Sequence, residues 1–142
     1  MRSNRLATVV IVFAASTLAA CGGPVFDEPI DGPYRLRATD LPTERMVCYG
    51  VDPCVERVPA FVVAVGANAD FVAALRQRPK GDGAPSSAGD AYYYIDRKAD
   101  GPTADPSVAV HGPFDLATFS AEQSRLGLPP LNKIDHIRNP RP

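Results

Sequence analysis

The predicted fold is built around residues 61–75, Phe61-Val62-Val63-Ala64-Val65-Gly66-Ala67-Asn68-Ala69-Asp70-Phe71-Val72-Ala73-Ala74-Leu75. The first five of these residues form an apolar run rich in β-branched side chains, which favours a strand. Residues 66–70 have the composition of a turn, and a second apolar run follows them. We therefore predict a central β-hairpin over residues 61–75. A helix over residues 70–77 is the alternative, because alanine and leucine are good helix formers.

Shorter segments with strand character lie on both sides of this hairpin. Turn-forming residues bound each of them, and they are residues 34–38, 45–49, 55–58, 92–96 and 108–111. Alternation along 92–96 places Tyr92 and Tyr94 on one face of the strand, and Tyr93 and Ile95 on the other. The predicted fold class is α+β: a small, mostly antiparallel β-sheet of hairpin-linked strands followed by one C-terminal helix.

That helix is predicted between Asp115 and Gly127. Asp115 is a good N-cap, and we expect Leu116 and Phe119 to line the buried face of the helix. Gly127 suits the left-handed position after the last turn, which lets Leu128 fold back onto the helix. The two prolines that follow prevent the helix from continuing.

Composition excludes several classes of protein. The 142 residues include 15 prolines and 11 glycines, which is incompatible with a helical bundle or a coiled coil. The chain carries 15 Lys and Arg against 16 Asp and Glu, so a basic nucleic-acid-binding module is not expected. Its length corresponds to a single domain.

The N-terminus has the layout of a signal peptide. Two arginines precede an uncharged stretch over residues 6–18, and small residues and a cysteine follow it. The uncharged stretch would span about 20 Å as a helix, which is too short to cross a bilayer. Residues 18–21, Leu-Ala-Ala-Cys, resemble the lipobox of bacterial lipoproteins, which implies lipid attachment at Cys21. Gly22 in place of the aspartate of inner-membrane retention signals implies the outer membrane, facing the periplasm.

These features predict the domain organisation. Residues 1–20 are the lipoprotein signal peptide, 21–32 a flexible tether rich in Pro, Gly and Asp, 33–130 a single α+β domain, and 131–142 an extended tail. Residues 78–90 contain several Gly, Pro and Ser residues and are predicted to form a long loop.

Cys48 and Cys54 remain once Cys21 is assigned to the lipid. In an oxidising compartment the default for such a pair is a structural disulfide. Gly50 and the Asp52-Pro53 pair are turn formers that help to bring the two cysteines together. A redox centre and half of a metal site are the alternatives, although the spacing is not Cys-x-x-Cys.

The order of these segments resembles a domain-of-unknown-function family of small bacterial lipoproteins. The segments that carry the resemblance, besides the lipobox, are Gly-Pro-Tyr-Arg-Leu at 32–36, Val-Gly-Ala-Asn-Ala-Asp-Phe-Val at 65–72, Tyr-Tyr-Tyr-Ile-Asp at 92–96, His-Gly-Pro-Phe at 111–114 and Arg-Leu-Gly-Leu-Pro at 125–129. The resemblance implies a sheet of hairpin-linked strands followed by one helix, and it supplies no catalytic residues. The loop at 78–90 is longer than this pattern requires.

Four groups of side chains are candidates for a catalytic or binding site. They are His111 with Ser107 and Asp105 as a triad, Asp96, Asp100 and Asp105 as calcium ligands, Tyr92 and Tyr94 as a platform for sugars, and Arg35, Arg37, Arg45 and Arg57 as a basic patch. None lies in a recognisable motif. We expect strand packing for the tyrosines, solvated turns for the aspartates and a solvated sheet face for the arginines. His136 is expected to be a tail residue.

The sequence thus predicts a lipid-anchored protein of the bacterial cell envelope, and not an enzyme. We expect no catalytic residues, no cofactor and no bound metal, and no nucleic-acid partner. The expected partners are the membrane, through lipidated Cys21, and an envelope or exported protein. The alternatives are a small periplasmic ligand-binding or hydrolytic domain that uses His111, and a redox protein that uses Cys48 and Cys54.

Overall fold

The computed structural model describes residues 22–77 and 89–134, and they form two antiparallel sheets and two helices. The first sheet, sheet A, is a meander of four neighbouring strands: β1 (Phe26–Asp31), β2 (Tyr34–Ala38), β3 (Met46–Tyr49) and β4 (Val55–Val58). Sheet B has the order β8-β7-β6-β5-β9, with strands β5 (Val62–Ala67), β6 (Phe71–Gln77), β7 (Asp90–Asp96), β8 (Val110–Phe114) and β9 (Asn132–Lys133). Helix α1 (Pro106–Ala109) precedes β8, and α2 (Leu116–Leu126) follows it.

The central hairpin is confirmed as β5 and β6. Val65 pairs with Ala74 in its register, and the Asn68 side chain closes the turn by accepting hydrogen bonds from the backbone N–H groups of Asp70 (3.0 Å) and Phe71 (2.8 Å). The alternative helix over residues 70–77 is wrong. Sheet B is covered on both faces, so apolar residues on both sides of β6 are buried in the extended conformation.

The two sheets pack face to face around one core. Sheet A contributes Tyr34, Leu36, Val47 and Val58, and sheet B contributes Val62, Val72, Ala74, Tyr93 and Ile95. A second cluster lies on the other face of sheet B, where Phe119 of α2 and Leu128 cover Ala73, Tyr92 and Tyr94. The predicted facing of the four residues on β7 is therefore confirmed, and the molecule has three layers: sheet A, sheet B and α2.

The expectation of one sheet and one helix is correct only in part. The strands are antiparallel and mostly linked as hairpins, but they divide into two sheets, and α1 is an additional helix. Residues 106–109 form this helix instead of the start of a strand because Asp105 caps it and Pro106 occupies its first turn. The strand that was predicted over 108–111 begins at Val110 instead.

The predicted tether is wrong for residues 26–31, which form β1. Asp27 anchors this strand, because its carboxylate accepts hydrogen bonds from Arg35 Nε at 2.6 Å and Arg37 Nη2 at 2.8 Å. Pro29 lies where a strand tolerates proline, because β1 is at the edge of sheet A and its register with β2 shifts directly after Pro29. The structure leaves only residues 22–25 between Cys21 and the first strand.

The predicted tail also begins with regular structure. Asn132 and Lys133 form β9 against β5, and the Ile134 N–H group donates to the Val63 carbonyl at 3.0 Å. The remainder of the tail, 135–142, lies outside the described residues. Residues 132–133 of the predicted tail are therefore an extended strand that forms part of sheet B.

Helix α2 has the predicted caps. The Asp115 carboxylate accepts a hydrogen bond from the Thr118 N–H group at 2.7 Å, and Gly127 adopts φ 70°. Leu128 is buried, as predicted. Leu116 was expected beside Phe119 but is 61% exposed, because only the face that carries Phe119 meets sheet B.

Candidate functional site

The structure brings Cys48 and Cys54 together as a disulfide, with their Cα atoms 5.4 Å apart. Cys48 is completely buried, and Cys54 is half-buried. The turn between them requires Gly50, which adopts φ 87° and whose Cβ would lie 2.8 Å from the Pro53 carbonyl oxygen. The burial of Cys48 agrees with the structural role predicted for the pair.

Three of the predicted features lie outside the described residues: Cys21 with the segment before it, His136, and most of the loop predicted at 78–90, of which only Gly89 and Asp90 are described. Lipid attachment at Cys21 therefore stays a prediction. Asp90 opens strand β7, so the loop ends one residue earlier than predicted.

The hypothetical triad of Asp105, Ser107 and His111 is not assembled. The Asp105 carboxylate accepts a hydrogen bond from the Ser107 backbone N–H group at 2.9 Å, and this bond lowers the pKa of Asp105. His111 instead stacks on the Tyr94 ring, with 4.6 Å between the ring centroids. Asp105 and His111 therefore each make a structural contact elsewhere instead of forming the triad.

Tyr94 connects this aromatic stack to a charged pair on α2. Its hydroxyl donates to Glu122 Oε2 at 3.3 Å, and Arg125 Nε donates to Glu122 Oε1 at 3.1 Å. Burial and the neighbouring Glu122 carboxylate raise the pKa of Tyr94, whereas the hydrogen bond from Arg125 holds the pKa of Glu122 below its usual value. With 6% of its surface exposed, Tyr94 is unavailable to stack on a sugar, and strand packing explains it.

Asp100 and Arg57 form a buried ion pair between the two sheets. Arg57 Nε donates to both Asp100 oxygens at 2.9 Å, and the two side chains are 1% and 0% exposed. Tyr34 also donates its hydroxyl to Asp100, at 3.0 Å, and Arg57 Nη2 donates to the Gly101 carbonyl at 2.9 Å. The expected solvated turn for Asp100 and solvated sheet face for Arg57 are therefore wrong.

A β-bulge accounts for the inward direction of Arg57. Val47 pairs with Val58 and Cys48 pairs with Glu56, so Arg57 is an extra residue on β4 with no partner on β3. Such an insertion changes the direction of a side chain relative to the ordinary alternation of a strand. The bulge was not visible in the sequence, and for this reason the pair with Asp100 was missed.

The four arginines do not form a shared patch. Arg35 and Arg37 both bind Asp27. Burial alone would raise the pKa of Asp27, but the hydrogen bonds from Arg37 and Arg35 outweigh it, so the pKa lies below its usual value. Arg45 is buried as well, which also contradicts the expected solvated face. Its guanidinium carbon lies 5.3 Å from the centre of the Phe26 ring, and its Nε and Nη1 atoms have no hydrogen-bond partner among the described residues.

A groove with a volume of about 450 Å³ separates the edge strand β1 from β5 and β9. Its walls combine charged and apolar side chains from Glu28–Asp31, Leu36, Val65–Ala67 and Asn132–Ile134. Asp31 at its rim forms an ion pair with Arg97. The groove exists because β1 and β9 belong to different sheets, so no hydrogen-bond ladder closes this side of the sandwich.

Within residues 22–77 and 89–134, no cluster of three or more His, Cys, Asp or Glu side chains is arranged to hold a metal ion. Neither described helix is long and apolar enough to cross a bilayer. Comparisons of the chain with protein-family models, with curated proteins and with solved structures find no match.

Proposed function

We propose that this protein is a lipid-anchored lipoprotein of the bacterial cell envelope that acts as a non-enzymatic interaction module. In this proposal Cys21 carries the lipid, and the folded domain faces the periplasm from the outer membrane. The leader over residues 1–20 and the lipobox-like Leu-Ala-Ala-Cys at 18–21 support it. Two or three acyl chains on one cysteine anchor a protein stably, whereas one chain alone is marginal.

The observation that carries the proposal is the disulfide between Cys48 and Cys54. Structural disulfides form and persist outside the reducing cytosol. The pair therefore agrees with export, and it uses the two cysteines that the lipobox leaves over. All three cysteines of the chain thereby have a role in one compartment.

The contacts of the candidate reactive groups support a non-enzymatic role. Asp100 neutralises buried Arg57, Asp105 caps α1, and His111 stacks on Tyr94. Each of these contacts stabilises the fold. A general base or a nucleophile would instead be directed toward a site that holds substrate.

Ligand binding is the second candidate function, and the groove beside β1 favours it. Its volume of about 450 Å³ lies in the range of small-molecule sites, and Glu28 and Lys133 place opposite charges on its two walls. The matching ligand would carry both charges and an apolar part. Saturable binding that is lost in Lys133→Gln but kept in Lys98→Gln, where Lys98 is largely exposed outside the groove, would support this candidate.

Metabolic labelling with a palmitate analogue tests the main proposal in the full chain expressed in a Gram-negative host. We expect labelled, processed protein in membranes for the wild type and for Gly22→Ala, and no label for Cys21→Ser. Alkylation before and after reduction should find two cysteines protected until the disulfide is reduced. An unlabelled wild type with free thiols would contradict the proposal.

Crosslinking in the same membranes tests the interaction role. We expect one envelope protein to be crosslinked to the wild type and to Gly22→Ala, and to be lost in Cys21→Ser. Labelled protein that crosslinks to nothing above the background of an unrelated lipoprotein would contradict the interaction module and leave lipid attachment intact.

A further inference from the structure

The end of sheet A at which β1 begins and β2 leads into β3 has an unusual surface. This membrane-proximal end consists of residues 25–26 and 38–46. Val25 and Leu41 are 50% and 55% exposed there, although both are apolar. They lie at the same end of sheet A, because Val25 precedes Phe26 and Leu41 follows Ala38, and Phe26 and Ala38 pair on neighbouring strands. Exposed apolar side chains around a charged group are typical of surfaces that contact a membrane interface.

Arg45 lies at this end and is 8% exposed. Two of its three nitrogens, Nε and Nη1, are buried without a hydrogen-bond partner among the described residues, and its guanidinium carbon lies 5.3 Å from the centre of the Phe26 ring. Arg57 differs, because its guanidinium binds Asp100 and the Gly101 carbonyl. A buried cation without a partner destabilises a fold, so a site of this kind gains free energy when an anion enters it.

The chain length between Cys21 and β1 restricts where this end lies. Four residues, 22–25, separate Cys21 from Phe26. An extended chain of this length places Phe26 at most about 18 Å from the Cys21 Cα atom. If Cys21 is acylated, as the proposed function states, the start of β1 lies within about 18 Å of the anchored cysteine, and the membrane-proximal end can reach the lipid headgroups.

We propose that this end of the sandwich docks on the bilayer, where Arg45 binds the phosphate of a phospholipid headgroup while Val25 and Leu41 enter the interface. The guanidinium fork matches the geometry of two phosphate oxygens. This contact requires the Arg45 side chain to rotate toward the loop over residues 39–44, because Nε and Nη1 are buried in its present conformation. This inference rests on the proposed lipid anchor.

Two carboxylates define the headgroup further. Asp40 is exposed and Glu44 is half-buried, and both lie in the loop that precedes Arg45 in the sequence. They disfavour an anionic headgroup and favour a zwitterionic one, in which an ammonium group accompanies the phosphate. Phosphatidylethanolamine has this chemistry.

A tryptophan reporter tests the docking, because the chain contains no tryptophan. Processed, lipidated Leu41→Trp is reconstituted in phosphatidylethanolamine and phosphatidylglycerol vesicles that contain brominated acyl chains. Val51→Trp is the matched control: Val51 is 60% exposed, and it lies in the loop after β3, at the opposite end of sheet A. We expect at least threefold stronger quenching of Leu41→Trp. Equal quenching of the two reporters would overturn the docking.

The phosphate contact is tested in the Leu41→Trp background. We expect Arg45→Gln to reduce the quenching about twofold or more, and Arg125→Gln, which removes an exposed positive charge on α2, to leave it unchanged. Vesicles of a neutral glycosyl diacylglycerol, which has no phosphate, should give the same reduced quenching with Arg45 intact. This result would show that the reduced quenching of Arg45→Gln does not come from a folding defect of the variant. Unchanged quenching in both arms would overturn the phosphate contact.

Two further results separate the alternatives. Inorganic phosphate at millimolar concentration, added to detergent-solubilised Leu41→Trp, should not change its fluorescence; a saturable change would assign the site to free phosphate and overturn the lipid contact. Failure of every variant to sediment with vesicles would contradict the lipid anchor itself. Sedimentation without selective quenching would contradict only the docking.

Discussion

Two arginines on the same side of sheet A differ in how their charge is neutralised. Arg57 is matched by Asp100, which also accepts hydrogen bonds from Tyr34 and from the Gly101 N–H group. Arg45 has no such carboxylate among the residues that the structure describes. A buried ion pair with all its hydrogen bonds made holds the two sheets in one arrangement. A buried guanidinium with unpaired N–H groups can still donate hydrogen bonds to a ligand. We therefore assign Arg57 to the fold and Arg45 to binding.

Asp100→Asn tests the role of the buried pair. The substitution keeps the size of the side chain but leaves the Arg57 charge without a counterion, and we expect a loss of about 3 kcal/mol or more in the free energy of unfolding. Asp96→Asn is the matched control, because Asp96 accepts an exposed hydrogen bond from the Lys98 N–H group in the same turn; its cost should stay below about 1 kcal/mol. Urea unfolding measures both. Equal losses would refute the assignment of Asp100.

At the scale of elements, the segment after α2 is attached to the central hairpin at several points. Asn68 Nδ2 donates to the Gly127 carbonyl at 2.9 Å, and the Ile134 N–H group donates to Val63. Between these bonds the backbone passes directly over Gly66. A Cβ atom on Gly66 would lie 2.1 Å from the Pro130 carbonyl oxygen. The closeness of these two backbones allows β9 to pair with β5.

Gly66→Ala is expected to displace this segment. The added methyl group meets a backbone carbonyl that no rotamer change relieves, so β9 should separate from β5 while the hairpin persists. Hydrogen exchange followed by mass spectrometry should give at least tenfold faster exchange over residues 128–134. Gly89→Ala, at a position with no atom within 4 Å of the added Cβ, should leave exchange unchanged. Wild-type exchange in Gly66→Ala would contradict this account.

At the scale of the whole molecule, Tyr34 joins the two sheets. It lies on β2 and is 1% exposed, and its hydroxyl reaches Asp100 in the segment that follows β7. Burial and the hydrogen bond to the Asp100 carboxylate raise the pKa of Tyr34 well above the usual value of 10.0. Its contribution to stability is therefore complete below pH 10 and is lost as the pH rises above 10, because the unfolded chain then releases this proton more readily than the folded chain.

We predict that Tyr34→Phe flattens the alkaline limb of the stability profile. At pH 7 the variant should lose about 1.5 to 3 kcal/mol, the value of a hydrogen bond to a charged group. Above pH 10 this difference should shrink. Only the wild type has a Tyr34 hydroxyl, which ionises more readily in the unfolded chain than in the folded one, so only the wild type loses stability from it. Urea midpoints at pH 7 and pH 11 measure the change. Lysines titrate in both proteins and cancel; a difference that is constant with pH would contradict the shifted pKa of Tyr34.

Features whose signal lies within a few neighbouring residues were predictable. The hairpin over 61–75 followed from two apolar runs and a turn, the caps of α2 from Asp115 and Gly127, and the cysteine pair from export and spacing. Strand β1 was missed because its Pro and acidic residues are typical of a loop. It is stabilised instead by Arg35 and Arg37 on a neighbouring strand.

The surroundings of the two buried arginines could not be predicted, because the residues that form them are distant in the sequence. Arg57 and Asp100 are 43 residues apart, and the bulge that directs Arg57 inward depends on the pairing of β3 with β4. Equally, the burial of Arg45 depends on Phe26 from another strand. Residues so far apart in the sequence form no periodicity or spacing from which their contact could be predicted.

Neighbouring residues alone were sufficient to predict most local conformations of this protein, and the N-terminal segment was sufficient to predict export. Alternation, capping and turn chemistry act over a few residues and bias the backbone before any tertiary contact forms. The division of the strands into two sheets, the burial of Asp100 as a counterion, and the lack of a hydrogen-bond partner for Arg45 Nε and Nη1 among the described residues emerged only from the tertiary structure. Burial of charge depends on which distant surfaces meet, and this is set by the packing of the whole molecule.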